Sequence, residues 1–553
     1  MAIDRIFTRR VCTTAALFAA TVAVTALTAF AGPHRAKLSR EVAERIERRV
    51  ESPGEFIVAT RPDRIDAVAA RYGATVKKRI TGGAVLEATG GQLDALSQDP
   101  DVAHIASNAK VLRMSTDGAP STVADQVWGG VQQLSGLTGR GVGIAVLDSG
   151  VAPHAAIRAI VASVDFTRPG GAALDHHGHG THVTGIIAET NDHGFGGVAP
   201  GASIVNLKVL DSDGAGETAT VIEAIDWAIA NRLAYNIRII NLSLGHPVFE
   251  SYLDDPLCLA AQRAADAGIL VVAAAGNVGK TEDGRPVVGG IISPANTPSV
   301  LTVGAVNARA TARRSDNVMA TYSSRGPTLY DGVLKPEVVA PGNKIAAASA
   351  QGGYLARTYP ERIVSGQGNK AYIELSGTSM SAAVVSGIAA LVLELRPELT
   401  PADVKVALQL TSSRVEGAGL IEAGAGEVNA AAAVALVGSR ESTSTVVAGE
   451  EVTSSHIAFW SGTTPSSLSN DSLGNTITLG STIVWSDTIV WSDTIVWSDT
   501  IVWSDTIVWS DTIVWSDAFI SGSTIVWSDT IVWSDTIVWS DTIVWSDTIV
   551  WSD

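Results

Sequence analysis

The chain carries at residues 142–148 the run Val-Gly-Ile-Ala-Val-Leu-Asp, which is almost wholly apolar until it ends on Asp148. Four more short apolar runs follow, separated by helical stretches, at 204–209, 237–242, 269–274 and 300–303. Strands that are apolar on both faces and alternate with helices are typical of a parallel sheet covered by helices on each side. From about residue 141 the sequence predicts an α/β fold with a doubly wound, mostly parallel sheet. Function in such a sheet collects at the carboxyl ends of the strands, where Asp148 lies.

A small α+β module precedes this sheet. Its segments alternate between strand-like and helical patterns in the order Glu55–Ala59, Pro62–Tyr72, Gly83–Thr89, Gly91–Gln98 and Val102–Ala106. Two strand–helix pairs and a closing strand can fold compactly, but a unit of this size is marginal in stability on its own. We expect it to gain stability from a neighbouring domain.

Residues 1–31 have the pattern of a signal peptide. Arg5, Arg9 and Arg10 precede an apolar run that ends in Ala29-Phe30-Ala31. We therefore expect cleavage after Ala31 and a secreted protein, either extracellular or in the cell envelope. An uncleaved membrane anchor is the alternative, because the run is nearly long enough to span a bilayer. The arginine pair leaves Sec and twin-arginine export both open.

Charge and cysteine content limit the partners. The formal charge is −17, but eleven of the acidic residues are the single Asp of a C-terminal repeat, which leaves −6 for the rest of the chain. An acidic body gives no reason to expect nucleic acid or an anionic membrane as a partner. Of the two cysteines, removal of the leader would leave Cys258, which we expect to be a buried apolar residue rather than a free reactive thiol.

The C-terminal part changes composition twice. Residues 439–480 are rich in Ser, Thr, Gly and Asn and are interpreted as a linker. Residues 481–553 contain eleven copies of Thr-Ile-Val-Trp-Ser-Asp around one degenerate unit. We expect a β-prone tail of short strands turned at each Ser-Asp and stacked as a small β-solenoid or meander, with a role in cell-surface binding or self-association. A disordered, dispensable product of repeat expansion is the alternative.

Three polar motifs occur in the order Asp, His, Ser. They are Val146-Leu147-Asp148-Ser149-Gly150, His177-Gly178-His179-Gly180-Thr181-His182 and Ser376-Gly377-Thr378-Ser379-Met380-Ser381. Each alone has a plain alternative, since Asp-Ser-Gly is common in turns and a histidine tetrad can bind a metal or form a polar loop. Together they supply a serine nucleophile, a base that can take its proton, and a carboxylate that can hold the base in the correct tautomer.

The residues around these motifs resemble the catalytic domain of the subtilisin (subtilase) family. Seven segments match in family order: His-Gly-Thr-His-Val (179–183), Gly-Val-Ala-Pro (197–200), Asn-Leu-Ser-Leu-Gly (241–245), Ala-Ala-Ala-Gly-Asn (273–277), Tyr-Ser-Ser-Arg-Gly-Pro (322–327), Lys-Pro-Glu-Val-Val-Ala-Pro-Gly (335–342) and Gly-Thr-Ser-Met-Ser (377–381). The resemblance covers about residues 141–435. It implies a serine endopeptidase that acts through an acyl-enzyme, with Asp148, His179 and Ser379 as the triad and Asn277 as the oxyanion donor.

The same resemblance implies a substrate cleft. Ser243, Leu244 and Gly245 would form one wall and Ala274 and Gly276 the other, with an extended peptide held between them as an added strand. The small residues at these walls predict an open pocket, whose floor would lie in 278–292. The resemblance makes His179 the base and leaves His182 as a packed helix residue.

Residues 55–106 resemble the inhibitory propeptide of the family. We therefore expect a precursor with 1–31 as signal peptide, 32–114 as propeptide and 115–438 as catalytic domain, cut between about Ser107 and Val123. Its partners would be protein or peptide substrates and its own propeptide. No cofactor is required for the chemistry; structural calcium stays open at the loop Asn191–Gly196, where many relatives bind it and where no ligand is assigned here.

A rival hypothesis is a cell-surface structural or binding protein in which the repeats carry the function. A degenerate triad would favour that hypothesis. All four polar catalytic positions are intact, so the sequence favours the enzyme.

Overall fold

The fold is described from a computed structural model of the chain. The description covers residues 35–113, 136–190, 195–309, 311, 313–438, 444–455 and 457–458, together with the backbone of eight strands between Thr488 and Trp551. The expected signal peptide and residues 191–194 of the expected calcium loop lie outside the described residues. The chain divides into two units, Met1–Ser107 and Asn108–Asp553.

The N-terminal unit is a five-stranded sheet with three helices. Its elements are β1 (Lys37–Leu38), α1 (Arg40–Glu47), β2 (Gly54–Thr60), α2 (Ile65–Tyr72), β3 (Thr75–Ile80), β4 (Gly83–Ala88), α3 (Gly90–Ser97) and β5 (Val102–Ser107). The strand order is β1-β5-β2-β4-β3, antiparallel except for β1 beside β5. One buried core, which includes Val58, Leu86 and Leu93, joins the helices to the sheet.

Strand β3 is one of two edge strands of this unit that the sequence pattern did not predict. Its residues alternate between exposed and half-buried positions, and three of its six side chains are Lys77, Lys78 and Arg79. An edge strand with a charged face lacks the apolar run that marks the other strands. The predicted α+β module therefore gains two edge strands, β1 and β3.

The second unit contains the predicted parallel sheet. Its strands before the repeats are β6 (Lys110–Arg113), β7 (Gly143–Asp148), β8 (Ile160–Asp165), β9 (Ser203–Lys208), β10 (Ala215–Glu217), β11 (Ile237–Leu242), β12 (Leu244–Gly245), β13 (Leu270–Ala274), β14 (Leu301–Asn307), β15 (Val318–Met319), β16 (Val338–Pro341), β17 (Ile345–Ala348), β18 (Ile363–Ser365), β19 (Tyr372–Leu375), β20 (Ser444–Val447) and β21 (Glu450–Thr453). Its helices are α4 (His179–Ala188), α5 (Thr218–Ala230), α6 (Pro256–Asp266), α7 (Tyr354–Thr358), α8 (Thr378–Leu395), α9 (Pro401–Thr411), α10 (Leu420–Ala423) and α11 (Ala430–Val437), with 3₁₀ turns at Pro360–Arg362 and Gly368–Lys370.

Eight strands form the main sheet. The order is β15-β14-β13-β11-β7-β9-β8, with β16 also paired to β14, and every pairing is parallel except that of β14 with the two-residue β15. Strands β9 and β8 lie on one side of β7, and β11, β13 and β14 follow one another outward on the other, which is a doubly wound arrangement. Ligand sites in such sheets lie beyond the carboxyl ends of the strands at this reversal. Strand β7 ends there, on Asp148.

Helix α8 is the central core helix. It packs on α4 and on the strands β11, β13 and β14, and 16 of its 18 residues are buried. Within the described part of the chain it is the one helix long and apolar enough to cross a membrane. Its burial inside the protein accounts for that apolar composition.

The start of the expected linker is folded. Strands β20 and β21 form an antiparallel hairpin, and Val447, Val452 and Ala458 are buried. Glu450 accepts hydrogen bonds from the backbone of Arg314 and from Ser315. Residues 444–455 are therefore folded rather than a linker: Val447 and Val452 are buried while Val446 is exposed, so one face of the hairpin packs on the domain despite its polar composition.

In the repeat tail, eight backbone strands form two parallel sheets. They are β22 (Thr488–Trp491), β23 (Ile495–Ser498), β24 (Ile501–Trp509), β25 (Ile513–Ser516), β26 (Phe519–Val526), β27 (Ile531–Trp533), β28 (Ile537–Val544) and β29 (Ile549–Trp551). Even-numbered strands pair in one sheet and odd-numbered strands in the other, and Thr488 pairs with Thr506, three hexapeptides further on. Strands β24 and β28 run through a Ser-Asp pair, so a turn at every Ser-Asp is wrong.

Candidate active site

Asp148 and His179 meet at the carboxyl edge of the main sheet. Asp148 is the last residue of β7, and His179 is the first residue of α4. His179 Nδ1 lies 2.8 Å from Asp148 Oδ1 and 2.9 Å from Oδ2, and both side chains are buried. A carboxylate can only accept here, so Nδ1 carries the proton and Nε2 is left as an acceptor. His179 Nε2 is buried and has no hydrogen-bond partner among the described residues.

A second carboxylate, Asp175, fixes the segment that leads into α4. Its Oδ1 accepts from the backbone N–H groups of His177 and Gly178 and from the Ser149 hydroxyl. Its Oδ2 accepts from the N–H and the hydroxyl of Thr181. These bonds satisfy donors at the start of the helix that have no partner within it. Asp175 therefore ties the loop, the helix start and the residue after Asp148 into one rigid group.

Ser379 is the second residue of α8, and helices α8 and α4 pack on each other. Its hydroxyl donates to the carbonyl of Ser243 at 3.0 Å, while the Ser243 hydroxyl donates to the carbonyl of Ser379 at 3.0 Å. Buried Asn241 and Ser386 continue this network, since Asn241 Nδ2 donates to Ser243 Oγ and Ser386 Oγ donates to Asn241 Oδ1. Transfer of the Ser379 proton to His179 requires the hydroxyl to turn from Ser243, and such bonds commonly tighten only when substrate is bound.

Asn277 lies at the N-terminal end of α8. Its Oδ1 accepts from the backbone N–H and from the hydroxyl of Thr378, both at 3.1 Å. Because these bonds fix the amide oxygen, the Nδ2 donor points away from Thr378. The N–H of Ser379 has no acceptor within the helix, since it belongs to the first turn. Both donors, with the positive end of the helix dipole, suit a developing oxyanion.

One wall of the expected cleft already holds an extended strand of the same chain. Strand β6 lies between β10 and β12 and is antiparallel to both. Arg113 pairs with Leu244 and Leu112 with Gly245, while buried Val111 pairs with Gly216. The cleft therefore accepts an extended chain as an added strand, which is how backbone-dominated peptide sites work.

The space between the two expected walls contains Ile292. A Cβ added at Gly245 would lie 2.6 Å from Ile292 Cδ1, and one added at Gly276 would lie 2.9 Å from Ile292 Cγ2. Ala274, at the end of β13, is fully buried. Ile292 lies at the end of the segment 278–292, and the expectation of an open pocket stays a prediction. The two glycines make room for this isoleucine, because a side chain at either position would meet it.

The histidine tetrad does not converge on a metal. His182 Nε2 lies 2.9 Å from the carbonyl of Ile345 and 3.1 Å from that of Ile373, and burial lowers its pKa to about 3. His176 is exposed, and His177 stacks on Tyr354. Across the described residues no group of three or more His, Cys, Asp or Glu side chains could hold an ion.

Asp175, Asn241 and Ser386 are site residues that the sequence reasoning did not single out. Asp175 had a local signal, because an acidic residue just before a helix start is a capping pattern. Asn241 and Ser386 had none, since they are far apart in sequence. Cys258, outside the site, is buried as expected, and its thiol contacts Asn296 Oδ1 at 3.1 Å.

Comparison with known proteins gives the family. The model described as the subtilase family matches residues 139–428, just over half of the chain. The serine protease AprX of Bacillus subtilis is 34% identical over 348 residues, 61% of this chain and 75% of the relative. A thermostable alkaline protease of Halalkalibacterium halodurans is 34% identical over 391 residues, 68% of this chain and 92% of the relative.

A solved structure gives the same fold. Fervidolysin of Fervidobacterium pennivorans, a keratinolytic enzyme related to subtilisin, matches with a TM-score of 0.56 and 22% identity; the match covers 73% of this chain and 63% of that one. At this identity the likeness concerns the fold alone. The family match and the two protease relatives carry the assignment further: this chain belongs to the subtilase family and is a serine-type endopeptidase.

Proposed function

We propose that this subtilase is a secreted endopeptidase that cleaves proteins with Asp148, His179 and Ser379 as its triad. The observation that carries the proposal is the buried contact of both Asp148 oxygens with His179 Nδ1. It leaves Nε2 as the proton acceptor of the pair. The leader pattern in residues 1–31 supports secretion, as does the similarity to the minor extracellular protease Epr of Bacillus subtilis.

In the proposed reaction Ser379 Oγ attacks the carbonyl carbon of the scissile bond and gives its proton to His179 Nε2. The carbonyl oxygen becomes an oxyanion held by Asn277 Nδ2 and the Ser379 N–H, and Asp148 stabilises the imidazolium. His179 then protonates the leaving amine, so the C–N bond breaks and an acyl-enzyme remains. Water then attacks the ester carbon and gives a proton to His179, which returns that proton to Ser379 Oγ as the C–O bond of the ester breaks and the carboxylic acid product leaves.

We also propose that residues 32–114 are an inhibitory propeptide. Strand β6 supports this, because it occupies the cleft in the way an extended substrate would. Along β6 the wall partners run from Gly245, opposite Leu112, to Leu244, opposite Arg113, so β6 runs toward Ser243 beside the nucleophile. We therefore propose the Met114–Ser115 bond, one residue beyond Arg113, as the cut.

For the tail, we propose a β-solenoid with three hexapeptides per turn, which acts at the cell surface or in self-association. The parallel pairing of Thr488 with Thr506 supports it. The solenoid turn and the expected surface role rest on the repeat of the sequence itself.

Casein hydrolysis by the purified protein tests the proposed activity. We expect wild type to be active and to be inhibited by a serine-directed covalent reagent, and Ser379→Ala to be inactive. Equal hydrolysis by wild type and Ser379→Ala would overturn the assignment.

A further inference from the structure

Strand β6, which occupies the cleft, also makes a side-chain hydrogen bond of the kind that could select a substrate. Arg113 Nε donates to His177 Nε2 at 2.9 Å. The Arg113 side chain runs over Gly214, where an added Cβ would lie 3.0 Å from both Arg113 Cδ and Nε and 2.9 Å from His177 Nε2. Gly214 is thus part of the space that the arginine fills, and a larger residue there would close it.

His177 is held in a fixed orientation. Its ring stacks on Tyr354 with centroids 5.5 Å apart and an interplanar angle of 17°. The backbone on both sides of the ring is fastened, since His177 N–H donates to Asp175 and its carbonyl accepts from the N–H of Leu355. An imidazole fixed in this way presents Nε2 to a ligand at little cost in side-chain entropy.

The imidazole is suited to accept from a cation. Burial, with the nearby His179 and Arg113, lowers the pKa of His177 to about 3, so the ring is neutral at neutral pH. A guanidinium can only donate, so Nε2 must be the acceptor and the proton must lie on Nδ1. When the strand leaves, a substrate side chain without a donor would leave this buried acceptor unpaired, which costs free energy.

The register of β6 shows which position of a bound substrate Arg113 corresponds to. Arg113 pairs with Leu244, and a substrate bound in the same antiparallel register would place its following residue opposite Ser243, whose carbonyl accepts from Ser379. Arg113 therefore stands in for the second residue on the N-terminal side of the scissile bond.

We propose that His177, Tyr354 and Gly214 form a specificity site that selects arginine two residues before the cleaved bond. The inference rests on the proposed endopeptidase function and adds a substrate class to it. His177 and Gly214 contact the arginine, and Tyr354 positions His177.

Two peptides with quenched fluorescence test the proposal. Both have the chain's own sequence at 108–115, Asn-Ala-Lys-Val-Leu-X-Met-Ser, and X is arginine in one and norleucine in the other. Norleucine keeps the apolar stem and removes the guanidinium. We expect wild type to cleave the arginine peptide with a kcat/KM about tenfold higher, since a hydrogen bond to a charged group is worth roughly this much. In His177→Phe, which keeps an aromatic ring against Tyr354, the ratio should fall below about two. The matched control His176→Phe changes the exposed neighbouring histidine and should keep the tenfold ratio.

A wild-type ratio near one, or an unchanged ratio in His177→Phe, would overturn the specificity site. The wild-type ratio needs no variant, so it decides the matter even if His177→Phe does not fold. Failure of the underlying function looks different: wild type would then cleave neither peptide, or Ser379→Ala would cleave both.

Discussion

Around Ser379 and His179, buried polar side chains are bonded to one another rather than left to water. Asp175 accepts five hydrogen bonds at the start of α4, and the Asn241–Ser243–Ser386 network meets the backbone of Ser379. These bonds hold the backbone around both catalytic candidates in place, while the buried His179 Nε2, which has no partner among the described residues, stays available as a proton acceptor. At the residue scale, positioning is shared by side chains that never touch a substrate.

Ile292 lies against both Gly245 and Gly276, so its size should limit the substrate side chain that fits between them. We expect Ile292→Ala to raise kcat/KM for peptides with phenylalanine before the cut, relative to alanine, by about tenfold, because about three methylene equivalents of space open. The variant should also lose about 2–5 kcal/mol of stability. Peptide kinetics and thermal unfolding measure the two effects. Ile291→Ala is the control: its atoms are not among those nearest to either glycine, and an equal change of preference in it would refute the assignment.

Glu189 is a buried carboxyl that should make stability depend on pH. Burial raises its pKa to about 8, and its Oε2 accepts one hydrogen bond, from the N–H of Ala348. Between about pH 4.5 and pH 8 the folded state holds a proton that the unfolded state has lost, so stability falls as pH rises through this window. Glu189→Gln removes the titration.

We expect Glu189→Gln, made in the Ser379→Ala background to prevent autolysis, to gain stability over its parent as pH rises from 4.5 to 8, by on the order of 3 kcal/mol at the upper end. Denaturant unfolding at several pH values measures the difference. The exposed Glu361→Gln should show no such trend. A difference that is constant with pH in Glu189→Gln would refute the buried-carboxyl account.

At the scale of elements, the sequence predicted the apolar strands of the main sheet. It also predicted that polar motifs lie at the ends of these strands. The run at 142–148 predicted β7 and placed Asp148 at its end, and the structure has the strand at Gly143–Asp148. The motif 376–381 places Ser379 at the start of α8, which begins at Thr378. Edge strands with charged faces, such as β3, and the hairpin β20–β21 were missed because their apolar residues are few. The position of Ile292 against both glycines was also missed, since it depends on contacts between segments distant in the sequence.

Strand β6 leads to a prediction about maturation. Ser379→Ala should accumulate as a precursor that begins near Gly32, because the cut needs the nucleophile, whereas wild type should begin at Ser115. Intact mass and N-terminal sequencing of secreted protein measure both. Active wild-type enzyme that still began near Gly32 would refute the inhibitory role of the segment.

On the scale of the whole molecule, the catalytic fold lies within residues 139–428 and the repeats lie outside it. We expect deletion of 481–553 to leave kcat/KM on small peptides within about twofold of wild type, since an effect below 0.5 kcal/mol is usual for changes remote from a site. The deletion should change surface retention, secretion or self-association. Loss of peptide hydrolysis in a folded truncation would show that the tail is part of the enzyme.

The central claim is that the Asp148–His179 pair activates Ser379. Labelling by a fluorophosphonate probe, read by peptide mass spectrometry, tests it most directly because it reports the reacting atom. The account predicts a single adduct on Ser379 in wild type, and labelling slowed by at least about a hundredfold in His179→Ala, which lacks the base. An adduct on another serine, or labelling of Ser379 at the wild-type rate in His179→Ala, would contradict it.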